Sequence, residues 1–169
     1  MLVFLDTEFT DFAHPDLISL ALVAEDGREF YAERTDFDQA KCNEFVCETV
    51  IPLLGRVPGA ACSTDELTAR LRAWFEALPE PATIIYDYEG DWLLLAYAWL
   101  GKAHQAAPAN VGDKLHLDSH TITHPMFEQA LNRVYTDDWP PHHALADARA
   151  LMAGYRAWRT YMEPIWRIA

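Results

Sequence analysis

The chain has 169 residues, 51% of them hydrophobic and 12% aromatic, and a formal net charge of −13. That is the size of one domain with a proper core, and the lack of any run of about 18 apolar residues excludes a membrane-spanning helix. The charge argues against a protein that coats nucleic acid with a basic surface, though an acidic protein still handles phosphates when bound divalent metal supplies the positive charge.

The opening stretch "MLVFLDTEF" lacks a basic start and a small-residue cleavage site, so no signal peptide is expected. Cys42, Cys47 and Cys62 form no C-x-x-C pair. They read as free thiols of a reducing cytoplasm, and the expected localisation is cytoplasmic.

Residues 2–8 read as the first strand. "DLISLALVAEDGREFYAE" (16–33) reads as a hairpin with arms Leu17–Ala24 and Arg28–Glu33 around a two-residue Asp26-Gly27 turn. Residues 38–54 read as a helix up to Pro52. Ser63 and Glu66 form a capping box that opens the next helix, in which Leu67, Leu71, Trp74, Phe75 and Leu78 recur at helical spacing. "ATIIYDY" (82–88) reads as a short buried strand, and residues 90–101 as a central helix that is apolar nearly all round. Residues 102–114 read as loop. Residues 115–135 are ambiguous, with a helix over Pro125–Tyr135, and 136–141 is loop. The final amphipathic helix is expected over 142–162. Leading strands followed by helices alternating with one or two further strands predict an α/β domain, a mixed sheet with helices packed on its faces.

Asp6 and Glu8 interrupt an apolar strand. At i and i+2 they share one face, roughly 6–7 Å apart. Like charges at that spacing raise each other's pKa unless a cation lies between them, and a hard divalent cation with oxygen ligands is the natural partner. The pattern alone is weak, because Asp87-Tyr88-Glu89 repeats it. Asp91 stands at the start of the apolar helix, where the helix dipole favours any acid. Asp147 falls on the small, apolar side of the last helix, with Ala144, Ala150, Leu151 and Gly154 around it. A lone carboxylate there costs several kcal/mol unless a base or a metal compensates it. His142 and His143 lie just ahead, and an imidazole there is a cap, a surface residue or a general base.

Taken together, "DTEFT" (6–10), "YDYEGDWLLL" (86–95) and "HHALADA" (142–148) resemble the motifs of the DEDDh 3′–5′ exonucleases, the DnaQ-like branch of the ribonuclease H-like fold. The resemblance spans the whole chain and is strongest to the small stand-alone bacterial exoribonucleases. It implies a ribonuclease H-like mixed sheet in one exonuclease domain. It also implies two divalent ions, Mg²⁺ or Mn²⁺, held by Asp6, Glu8, Asp91 and Asp147. Asp6 would be shared between the ions, Glu8 and Asp147 would hold the first, and Asp91 the second. The pattern H-x-A-x-x-D makes His142 the proton acceptor and His143 the variable position, and the family analogy places Phe9 and Thr10 against the terminal nucleotide. Asp87 stands where the commoner pattern has asparagine, so the third ligand is a choice between Asp87 and Asp91. Asp91 is preferred because Trp92–Leu95 supplies the apolar run that follows the family acid.

The implied substrate is single-stranded or 3′-overhang RNA, degraded one nucleoside monophosphate at a time. A DNA exonuclease and a catalytically inactive nucleic-acid-binding protein are the rival readings. Packing is the competing role for Phe9. His116, His120 and His124 recur every four residues, but the β-branched run around them makes a helical zinc site a poor reading. Tyr155, Trp158, Tyr161 and Trp166 fit packing or a homodimer interface better than base stacking.

Overall fold

A computed structural model describes residues 1–167. Six strands form one mixed sheet: β1 (Leu2–Phe9), β2 (Leu17–Ala24), β3 (Glu29–Arg34), β4 (Ala61–Cys62), β5 (Ala82–Tyr86) and β6 (Val111–His116), in the order β4-β3-β2-β1-β5-β6. The β1–β2 and β2–β3 pairs are antiparallel, while β1–β5, β5–β6 and β3–β4 are parallel. The helices are α1 (Thr64–Glu76), α2 (Glu89–Leu100), α3 (Ser119–Ile122), α4 (Pro125–Asn132) and α5 (Ala144–Trp166).

Strand alternation assigns the helices to the two faces. Val3, Leu5, Leu20, Leu22 and Ile84 bury one face against Leu67, Leu71 and Phe75 of α1 and Leu95 and Trp99 of α2. On the other face, Phe4 and Ile85 meet Phe127 of α4 and Leu151 and Tyr155 of α5. Ala21 and Val23 meet Ala144, Leu145 and Ala148, whose small side chains bring the start of α5 close to β2. Gly154 lets α4 approach, since a Cβ there would lie 2.7 Å from the Phe127 ring. The capping box of α1 forms as expected, the Ser63 hydroxyl accepting from Glu66 N–H and the Glu66 carboxylate from Ser63 N–H. No helix among the described residues is long and apolar enough to cross a membrane.

Four expectations are corrected. The hairpin turn has three residues, Glu25–Gly27, closed by Ala24 N–H donating to Arg28 O with Gly27 at φ +92°. The expected helix 38–54 breaks into a 3₁₀ turn at Gln39–Lys41, a π turn at Val46–Val50 and a second 3₁₀ turn at Ile51–Leu53. Asn43 N–H donates to Thr10 O and its side chain accepts from Val46 N–H, which ties the chain down before a helix can run. Ile51 N–H then reaches five residues back to Val46 O, and Pro52 has no N–H to offer. The sheet gains two edge strands. β4 is two residues long, and β6 runs from the end of the segment read as loop into the one left ambiguous, because its solvent-exposed "VGDKLH" carries no alternating pattern. Finally, α5 starts at Ala144 because His142 stands at φ +68° and His143 is extended.

Candidate active site

The acids lie on an overhang of β1. Its pairing with β5 ends at Phe4 and Ile85, while pairing with β2 continues through Asp6↔Ala21 and Glu8↔Ser19 to a bulge at Glu8/Phe9. Ligand sites of open α/β sheets collect at such carboxyl ends, and bulges there re-aim side chains. Asp6 and Glu8 share the α5 side of the strand with Phe4, while Thr7 points to the α2 side. The Thr7 hydroxyl donates to Asp91 Oδ1 at 2.6 Å, tying the buried acid of α2 to the strand. Asp147, in the first turn of α5, accepts from the Tyr135 hydroxyl at 2.6 Å on one oxygen and from His142 N–H at 2.8 Å on the other.

These elements enclose a cleft of about 660 Å³. Asp6, Glu8, Asp91, Asp147, His142 and Phe9 all line it, and so does Asp87. Glu8, His142 and Asp147 each offer a ligand atom within 4.8 Å of the others, the one such group of His, Cys, Asp or Glu among the described residues. Thr10 is the candidate that the structure does not bring to the wall. It is fully buried, its hydroxyl accepts from Asp16 N–H, and its backbone bonds Asp16 and Asn43, so it closes the loop behind Phe9.

Crowded acids in a poorly solvated cleft hold protons. Burial, then Asp147, Asp91, Glu8 and Asp87, push Asp6 well above the ordinary carboxylate range. Burial followed by Asp147 and Asp91 lifts Glu8 to about 8. Burial lifts Asp91 to about 7 against the Thr7 hydroxyl, which favours its charged form. Asp147 rises through burial despite Tyr135 and His142, and Asp87 rises through burial as well. Asp6 Oδ2 is cut off from solvent and has no donor. No Lys or Arg lines the cleft. Carboxylate oxygens, one imidazole and an orphaned buried oxygen fit hard divalent cations, which would lower all of these values at once.

The two histidines have different jobs. His143 is buried, stacked on Tyr31 at 4.8 Å with Trp139 edge-on at 5.0 Å, and its Nδ1 caps α5 by accepting from Leu145 N–H. Burial holds its pKa below the ordinary value. His142 faces the cleft, its ring edge-on to Phe45 at 5.0 Å. Its left-handed backbone is uncommon for a non-glycine residue and belongs to the class of conformations that cluster at functional sites.

The triplet His116, His120 and His124 does not converge. His116 stacks on Tyr86 and its Nε2 contacts Asp87 O, His120 sits in α3, and His124 caps α4. Tyr155 is core, Trp158 packs on it, and Tyr161 and Trp166 remain about half exposed. Sequence reading missed Thr7, Asn43, Phe12, Phe45, Tyr88 and Tyr135 as site neighbours. A hydrogen-bonding residue between two strand acids was the one available signal, for Thr7.

No protein-family model matches the chain. Two curated proteins of Mycobacterium tuberculosis, from strains CDC 1551 / Oshkosh and H37Rv, are each 29% identical over 166 residues, covering 92% of this chain and 92% of their own length. Both are named 3′-5′ exoribonuclease. The similarity runs along nearly all of each chain and supports an exonuclease.

Proposed function

We propose that the protein is a metal-dependent 3′–5′ exoribonuclease of the ribonuclease H-like, DEDDh type, a cytoplasmic enzyme acting on single-stranded or 3′-overhang RNA. The observation that carries this reading is the convergence of Asp6, Glu8, Asp91, Asp147 and His142 on one cleft without a Lys or Arg. The full-length similarity to proteins named 3′-5′ exoribonuclease supports it. Asp6 would be shared by two ions, Glu8 and Asp147 would hold one, and Asp91 the other. Asp91 is favoured over Asp87 because the Thr7 hydroxyl fixes it. Mg²⁺ or Mn²⁺ held there supplies the positive charge that a phosphodiester displacement needs at its attacking and leaving oxygens.

The chain's own groups do the positioning and the proton transfer. His142 accepts a proton from the attacking water, with Phe45 against its ring and its backbone N–H donating to Asp147. Tyr135 holds the Asp147 carboxylate in place. Water adds to the terminal phosphorus and the bond to the upstream 3′ oxygen breaks. The products are a nucleoside 5′-monophosphate and a strand one residue shorter with a 3′ hydroxyl.

The test is timed digestion of matched 5′-labelled RNA and DNA strands with Mn²⁺. RNA should shorten stepwise from its 3′ end and faster than DNA. Faster loss of DNA would move the assignment to a DNA exonuclease, and intact ends on both would leave a binding protein. The histidines give a second prediction. His142→Asn, which tolerates the left-handed backbone, should lower kcat by about 10²–10⁴-fold with little change in Tm. His143→Ala should instead cost roughly 2–4 kcal/mol of stability through the lost cap and lost packing. The same assays on both variants check this, and the reverse pattern would exchange their roles.

A further inference from the structure

One corner of the cleft mixes two kinds of metal ligand. Glu8, His142 and Asp147 each offer an atom, and the three atoms lie within 4.8 Å of one another. Glu8 stands at the bulge that ends β1, while Asp147 and His142 come with the start of α5. The His142 backbone N–H donates to Asp147 at 2.8 Å, so the two are held together by a bond that leaves the ring lone pair for other use. His142 is exposed, which gives ions from solvent a way in. Asp6 Oδ2 lines the same cleft with neither donor nor solvent, a second sign that a cation belongs there.

The imidazole decides which cation. Mg²⁺ takes oxygen ligands in an octahedron, keeps several waters and leaves a nitrogen aside. Zn²⁺ takes nitrogen and oxygen together, commonly three protein ligands and a water at four corners. Two carboxylates and one imidazole make such a set. Bonds of about 2.0–2.1 Å put the ligands of a tetrahedral ion roughly 3.3 Å apart, so side-chain shifts on the order of 1 Å close the group around it. The affinity order of divalent ions also places Zn²⁺ above Mn²⁺. The thiols offer no rival, because Cys42, Cys47 and Cys62 join no group of three ligands among the described residues.

We propose that Glu8, His142 and Asp147 form an inhibitory site for one Zn²⁺ ion, set apart from the all-oxygen sites of Mg²⁺ or Mn²⁺ by His142 as a ligand. The inhibition rests on the exonuclease reading, and the binding does not. A zinc ion there takes Glu8 and Asp147 away from the first catalytic ion. It also occupies the lone pair with which His142 accepts a proton from water. The ratio of zinc to magnesium then sets how much of the protein can cut RNA.

Titration of Zn²⁺ against a chromophoric chelator, on the full chain without RNA, tests the site. His142→Asn should weaken Zn²⁺ binding about 10²-fold, the upper end of what losing even an outer-shell partner costs, and leave Mg²⁺ binding as it was. Asp147→Asn should weaken both. The ring NMR signals of His142 should shift with Zn²⁺ and stay in place with Mg²⁺. In the RNA assay, Zn²⁺ at about a hundredth of the Mg²⁺ present should slow shortening at least tenfold, and a zinc-selective chelator should restore the rate. Equal zinc affinity in His142→Asn and the unmodified protein would overturn the proposal, as would RNA shortening as fast on Zn²⁺ as on Mg²⁺. Zinc held through His142 by a protein that never shortens RNA would keep the site and sink the exonuclease reading. Shortening in Mg²⁺ with no zinc bound through His142 would do the opposite.

Discussion

Asp6→Asn will abolish exonuclease activity, by about 10³-fold or more in kcat/KM, while raising Tm in chelator. The two changes have opposite signs for one reason. Asp6 is enclosed by Asp147, Asp91, Glu8 and Asp87, and one of its oxygens has no donor and no solvent. Without metal, its charge is a net burden on the fold. Asparagine keeps the shape, removes that burden and brings an amide that donates to neighbouring carboxylates. With metal, the same charge would be a ligand shared by both ions. Activity on 3′-overhang and single-stranded RNA, together with thermal unfolding in chelator, measures both effects. A variant that loses activity and stability together would mark Asp6 as a structural residue. An unchanged rate would remove it from the reaction.

Metal and pH are linked through the same acids. Glu8 rises from an ordinary 4.5 to about 8 and Asp91 from 3.8 to about 7. Between pH about 4 and 8 the folded chain therefore keeps protons that the unfolded chain has released, so stability in chelator falls as pH rises through that window. Asp36, held down to about 2 by hydrogen bonds from Thr64 and Arg34 that outweigh its desolvation, contributes with the opposite sign but below the window. Divalent ions held there would replace the protons, so they should bind more tightly as pH rises. Mn²⁺ at about 100 times its Kd adds about 2.7 kcal/mol, or about 5–11 °C in Tm for a chain of this size. The gain should be large at pH 8 and small at pH 5. Unfolding curves at pH 5, 6.5 and 8, with chelator and with Mn²⁺, check this, and Glu8→Gln should flatten the chelator series. A Tm that climbs from pH 5 to 8 in chelator would contradict the reading.

The strands that hold the acids were legible because their residues obey local rules. Leu2–Leu5 is apolar enough for a central strand, and the period of two puts Asp6 and Glu8 on one side whatever the rest of the chain does. The capping box placed the start of α1 to the residue. What failed depends on partners distant in sequence. The π turn that sets Phe45 and Val46 against the cleft follows from Asn43 bonding Thr10, a tie between segments more than thirty residues apart. β6 is an exposed edge whose only reason to be a strand is β5 beside it. Within the site, Asp147 announced itself as an acid on an apolar helix side. Tyr135, which holds it, was read as the end of a helix that stops at Asn132, and nothing in the sequence marks it as a partner of Asp147. Thr10 matched a motif position, yet its hydroxyl turns inward to close a loop. A motif fixes which residue stands at a position and leaves open which way its side chain points.

The division of the acids between the two faces of β1 has a consequence for biosynthesis. Asp91 arrives with α2 on one side of the sheet, while Asp147 and His142 arrive with α5 on the other, and α5 follows every other described element along the chain. A nascent or half-folded copy can therefore carry Asp6, Glu8 and Asp91 in place and still lack the rest of the reactive set. On the exonuclease reading, hydrolysis would begin only once α5 has packed against the sheet, because Asp147 and His142 come with it.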